Sequence, residues 1–220
     1  MFKLIYEHLW PRIDRPSPQE LLKDEALLEK MRESVRQSAF SNRSSTALEE
    51  ARRLFDAEQE RRRSADTKAG IYLAAITALV PVLAAIWSRV WSAEMDMVLA
   101  GISVVLFLSA LLYLLRAGLW AFSTIKVSAF SQLGPYEIAV SWKSKNPEEQ
   151  LSKKLLNSVA CNFRDTNRKV TCIKMTHEFL LRAFFCLLFI MVLHVTWPIL
   201  AALLSIIYKV AVIMLSMCSP

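Results

Sequence analysis

The chain has 220 residues, 54% hydrophobic and 21% charged, with 4 glycines, 8 prolines, 4 cysteines and a formal net charge of +7. Apolar and charged residues in those amounts must be segregated into blocks, and scarce glycine with recurring periods of 3.6 excludes a strand-rich fold. The cysteines Cys161, Cys172, Cys186 and Cys218 contain no C-x-x-C pair, and Cys161 and Cys172 fall on the reducing side of the topology below, so neither a zinc site nor a structural disulfide is expected.

Residues 1–45 form an N-terminal arm, assigned to the cytoplasm. MFKLIYEHLW is apolar at Phe2, Ile5, Leu9 and Trp10, but Glu7 and His8 interrupt it and it lacks a small-residue cleavage site. It reads as a short amphipathic helix on protein or at a membrane surface rather than a signal peptide. PRIDRPSP is a proline-marked linker. Ser17-Pro18-Gln19-Glu20 then predicts a helix start, with Ser17 at N-cap, Pro18 at N1 and Glu20 closing a capping box. Leu21, Leu28 and Val35, with Met31, give a partial heptad seam, broken where Asp24 stands in place of an apolar residue.

The polar run Ser41 to Ser45 ends that helix. Thr46 and Glu49 predict a second capping box, opening a helix from about Ala47 that meets no breaker before the membrane. Its cytoplasmic part, 46–68, carries Leu48, Ala51, Leu54 and Phe55 on one stripe and a Glu58–Arg62 pair at i,i+4. Arg61, Arg62, Arg63 and Lys68 mark the approach, serving topology first and a trigger or lipid-headgroup patch second. Asp66 can pair with a neighbouring helix or with Arg62 and Arg63 beside it. The first span, 69–88, is uncharged and long enough for a hydrocarbon core of about 30 Å. Gly70, Ala74 and Ala78 lie four apart and offer a smooth face, either to another copy or to the second span of the same chain. Pro81 predicts a kink, a packing feature or a gating point.

Trp87 and Trp91 suit the interface around the short outer loop 89–96, and the second span covers 97–115. The segment 116–182 is basic, with 11 Lys and Arg against 5 Asp and Glu, whereas 1–68 carries 14 against 13 and 89–96 is net −1. Anionic headgroups and topology account for that excess before nucleic acid does. Gly134-Pro135 interrupts it, and Asn146-Pro147-Glu148-Glu149 predicts another capped start, with one helix running on into the third span, 183–208. That uncharged run would extend about 39 Å, so tilt or a break at Pro198 is expected, followed by an apolar tail, 209–220. The expected fold class is an all-α membrane protein: a helical hairpin, a third long apolar helix and long cytoplasmic helices, with the N-terminus inside and the C-terminus outside.

No glycine-rich phosphate loop, H-E-x-x-H or G-x-S-x-G is present, so no cofactor, metal or catalytic constellation is expected and the chain does not read as an enzyme. His177-Glu178 is an adjacent acid–base pair with no third partner. His194 is the ionisable group set well inside a span, which makes it a gating candidate beside Pro81. Ser103, Ser109 and Thr77 are the polar groups of the hairpin; one hairpin cannot enclose water, so conduction would need several copies.

The charged helix leading through ADTKAG into a span, the tight hairpin, and the basic helix with NFRDTNRK together resemble small membrane effectors of prokaryotic anti-phage operons. The nearest types are the SLATT-like and Pycsar-type transmembrane effectors, with retron-associated membrane effectors similar in architecture. The resemblance covers roughly 47–192; the arm 1–45 and the tail after Pro198 depart from the simple two-span pattern, and no nucleotide-sensing domain is recognisable. It implies a multi-pass protein of the bacterial inner membrane that oligomerises when an operon-encoded sensor or a nucleotide signals infection. It then permeabilises or depolarises the membrane, an abortive-infection outcome. Its partners would be membrane lipids and further copies of itself, with no direct nucleic-acid binding. A membrane-anchored scaffold that recruits a cytosolic partner explains the same residues without a pore; a membrane enzyme is the third reading.

Overall fold

The computed structural model describes residues 17–90, 96–126 and 130–217, and these are helical with no strands. The expectations for residues 1–16, for Trp91 and for Cys218 lie outside them. The protein is all-α, and three of its helices are long and apolar enough to cross a membrane.

Helix α1 (Pro18–Gln37) begins at the predicted box: the Glu20 amide donates to Ser17 Oγ at 3.2 Å and the Ser17 amide to Glu20 Oε2 at 2.7 Å. These hydrogen bonds hold the Glu20 carboxyl below its usual range. The partial seam is shallow. Leu21, Leu28 and Val35 are only half-buried, and the helix contains no buried residue.

Helix α2 (Ser44–Val90) follows a 3-10 turn at Ser41–Arg43. It starts three residues before the expected Ala47, which places Thr46 inside the first turn rather than at the cap. Ser44 is held by its hydroxyl on Glu148 instead. As expected, the helix continues without interruption into the apolar run, and it passes through Pro81 unbroken. Helix α3 (Met97–Ile125) has Asp96 accepting from the Val98 amide at 2.8 Å and continues well beyond Leu115, so the second span and the start of the basic segment are one rod. A short α4 (Pro135–Ser141) starts at the Gly134-Pro135 interruption, where the Gly134 amide donates to Glu137 at 3.0 Å.

Helix α5 (Pro147–Met217) is 71 residues long. Pro198 does not break it, and the tail as far as Met217 continues the same helix. A proline removes one amide donor and crowds one carbonyl, and between apolar neighbours the flanking turns keep the helix going.

The chain divides into two compact units. The polar unit joins the residues up to Leu73 with Leu119–Thr176. Within it, α2 and α5 run parallel, as three cross-links show: Ser44 to Glu148, Arg61 to Asn167 and Asp66 to Lys169. The α2 residues facing inward are Leu48, Ala51, Phe55, Glu58, Arg62, Ala65, Ala69 and Tyr72, alternately three and four apart. That is a heptad register, the spacing by which two helices keep one seam in contact. Leu48 and Ala51 form its apolar end with Leu151 and Leu155.

The apolar unit joins Ala74–Gly118 with His177 onward. Its core comprises Leu83 of α2, Phe107, Ala110 and Leu114 of α3, and Ala183, Leu187 and Ile190 of α5. Ile76, Leu79 and Ile86 pack beside them, continuing the three-and-four alternation of α2.

Candidate functional site

The expected small-residue face lies away from this seam. Ala65, Ala69 and Leu83 are buried, whereas Gly70, Ala74 and Ala78 are all exposed. A Cβ added at Gly70 would meet nothing within 4 Å. One residue of helix is a turn of about 100°, so the stripe beginning at Gly70 faces sideways from the stripe beginning at Ala69. Of the two destinations the sequence left open for this face, the second span of the same chain does not cover it.

Pro81 is exposed, as is Pro198. His194 is half-buried, and its Nε2 lies 3.2 Å from the hydroxyl of Ser103, a fully buried residue of α3. This is an interhelical hydrogen bond inside an apolar unit, worth about 0.6 kcal/mol on average and up to about 1.7 in such settings. Ser103 is therefore spent on packing and is not part of an open lining. Ser109 donates to the Val105 carbonyl of its own helix at 2.8 Å, while Thr77 is exposed. Beside His194, Val82, Ala85 and Ile86 of α2 and Met191 and Val195 of α5 border an apolar crevice of about 340 Å³.

The basic residues Arg61, Arg62, Arg63 and Lys68 do not share one surface. Arg61 donates to Asn167 at 2.6 Å and stands 3.7 Å from the buried carboxylate of Glu58. Arg62 is half-buried with its guanidinium 4.5 Å above the Phe130 ring, a cation–π contact. Arg63 and Lys68 are exposed and accessible to a headgroup or a partner. Three successive residues on a helix point about 100° apart, so a run of three arginines cannot form one patch. Asp66 is held by Lys169 at 2.5 Å, the neighbouring-helix alternative rather than a purely local pairing. Glu178 is held by Arg182, which donates to its carboxylate at 2.7 Å, while His177 is exposed. That places Glu178 in an i,i+4 ion pair on one helix.

Sequence reasoning missed the polar stretch of the α2–α5 seam. Asn162 is 3% exposed and grips Ser131 at two points: it accepts from the Ser131 amide at 2.8 Å and donates to the Ser131 carbonyl at 2.8 Å. Ser131 also donates to Ser158 at 3.3 Å, and Phe130 next to it packs on Phe55 with ring centroids 5.9 Å apart. Thr166 and Lys169 are buried on the same stripe of α5. One oxygen of Glu58 is buried without a hydrogen-bond partner. Cys172 is buried nearby, and burial raises its thiol above the usual range, outweighing the opposing pull of the Arg168 guanidinium. The available signal was the spacing of Ser158, Asn162, Thr166 and Lys169 by three and four, which a search for apolar periodicity does not register.

No protein-family model, curated protein or solved structure matches the chain.

Proposed function

We propose that the protein is a membrane effector of a prokaryotic anti-phage system, one that oligomerises on an upstream signal and then permeabilises or depolarises the inner membrane. The observation that carries the reading is the uncovered face at Gly70, Ala74 and Ala78. Lipid tails are as apolar as leucine, so helix association in a bilayer depends heavily on close backbone approach, which small residues permit. A stripe of that kind left unused by its own chain is available to a second copy. Several copies are required, because Ser103 is turned inward on His194 and Ser109 onto its own helix. The orientation, N-terminus cytoplasmic, follows from the Lys and Arg counts on either side of the first span. The anti-phage setting rests on the resemblance around ADTKAG and NFRDTNRK.

A membrane-potential dye, read during overproduction without operon partners and again during phage infection, tests this. Depolarisation is expected, reduced by Pro81→Ala or His194→Leu at unchanged protein level. Cells that stop growing while fully polarised would refute permeabilisation. The scaffold reading would then lead, and one observation favours it: α1 has no buried residue and leaves Leu22, Leu27 and Met31 exposed.

A further inference from the structure

Helix α4 is built inside out. Its one buried residue is Ser141, whose hydroxyl donates to the Glu137 carbonyl at 2.7 Å; Lys154 of α5 donates to the same carbonyl at 3.0 Å. The face turned away from the chain is apolar. Trp142, the C-cap, keeps helical backbone angles, so at about 100° per residue the exposed side runs Ile138, Trp142, Pro135, Ala139, Tyr136, Val140. That arc of about 200° holds no polar side chain, the reverse of an ordinary surface helix. Tyr136 is 77% exposed and Trp142 63%. Along α5 from Pro147 to Thr176, by contrast, Phe163 alone is an exposed large hydrophobic.

Single exposed hydrophobics are ordinary, and Phe163 needs no other reading. A contiguous apolar face on one short helix is not ordinary, and tryptophan and tyrosine are the side chains that anchor protein–protein contacts. Lipid lies out of reach of this face. About 33 Å of α5 separate Lys154, where α4 is tied, from Thr176, and the uncharged run begins only at Ala183. A headgroup layer is less than about 10 Å deep. A second copy docking face to face would bring the exposed Lys143 and Lys145 of both copies together, a like-charge contact that costs affinity. Those lysines, in a segment with 11 Lys and Arg against 5 Asp and Glu, complement a negatively charged partner instead. Nucleic acid has that charge, but Ile138, Ala139 and Val140 offer it neither a cation nor a hydrogen bond from their side chains.

We propose that α4 is the docking surface for an acidic protein segment with apolar anchors. Its apolar side chains cover Tyr136, Ile138, Val140 and Trp142, and its carboxylates meet Lys143 and Lys145. The inference stands whether or not the apolar unit permeabilises membranes.

The test is selection of a display library of random peptides, about 16 residues long, on the full-length protein in phosphatidylcholine nanodiscs. Recovered peptides should be net acidic with several large apolar residues, and should bind as labelled synthetic peptides by fluorescence anisotropy. Tyr136→Ala with Trp142→Ala should weaken that binding at least about tenfold. Lys143→Gln with Lys145→Gln should weaken it about threefold, a loss that disappears at about 0.5 M salt. Leu22→Ala with Leu27→Ala, on α1, should leave it intact. Hydrogen exchange over 48–69 checks that each variant keeps its fold; should the aromatic pair fail that check, Trp142→Ala alone replaces it, with severalfold weakening expected. No enrichment, enrichment of basic or uncharged peptides, or binding that survives the aromatic variant overturns the proposal. So does any result that assigns another occupant. Oligomers lost with the aromatic pair would assign a second copy, and exchange protection of 135–142 only in phosphatidylglycerol nanodiscs would assign lipid. A thymidine oligonucleotide bound more tightly than the peptides would assign nucleic acid.

Discussion

Removing either partner of the Asp66–Lys169 pair should have unequal effects, because the two side chains differ in exposure. The lysine side chain is 8% exposed and the aspartate 39%, with nitrogen and oxygen 2.5 Å apart. Asp66→Ala leaves an ammonium buried in the α2–α5 seam with no counter-charge. Stranding a buried charge costs about 3–5 kcal/mol, and a lysine stem can lift its head toward water, so about 3 kcal/mol is expected. Lys169→Met keeps the stem's volume and strands only a carboxylate that water already reaches, so the cost should be about 1 kcal/mol or less. Measured as native-state hydrogen exchange of the amides at 160–172, these figures correspond to opening about 150-fold and about fivefold more frequent. The double variant Asp66→Ala with Lys169→Met should recover most of the loss, since neither charge of the pair then remains. Equal effects of the two single changes, or a larger effect of Lys169→Met, would show that burial does not govern this pair and refute the reasoning.

Reporter fusions after Lys145 and at Pro220 should fall on opposite sides of the membrane, the first cytoplasmic; a cytoplasmic C-terminus would mean that α5 does not cross. Ala74→Leu or Ala78→Leu should weaken cross-linked oligomers without lowering the amount of inserted protein, because both sites are exposed within one chain; unchanged oligomers would move the interface elsewhere. The folded-state pKa of Glu20 is depressed, so its contribution to α1 is present above the ordinary carboxyl value of 4.5 and is lost as pH falls through the folded value. Hydrogen exchange of the first turn of α1, corrected for its intrinsic pH dependence, should accelerate over that acid range in the wild type and show a flatter profile in Ser17→Ala.

The helical class, the three apolar runs and the start of α1 were legible from residue order alone, because each rests on local physics. A capping box uses side chains three residues apart, and an uncharged run long enough to span a bilayer needs no partner to be recognised. The unbroken α2 was legible for the same reason, since nothing between Ala47 and Val80 interrupts a helix. What the tertiary structure decided was which stripe of each helix faces inward. Glu58 and Arg62 look like a surface pair at i,i+4, yet they occupy heptad positions in the seam, because α5 lies parallel to α2 along it. Asn162 reads as one more polar residue in a basic helix until the chain folds back and presents the backbone of Ser131 to it. The smooth face at Gly70, Ala74 and Ala78 was visible in the sequence, but not what would cover it. Only the packing of Ala65, Ala69 and Leu83 into the interior shows that the neighbouring stripe was used and this one left open. Spacing along a helix defines the available faces; the choice among them belongs to whichever helix arrives to pack.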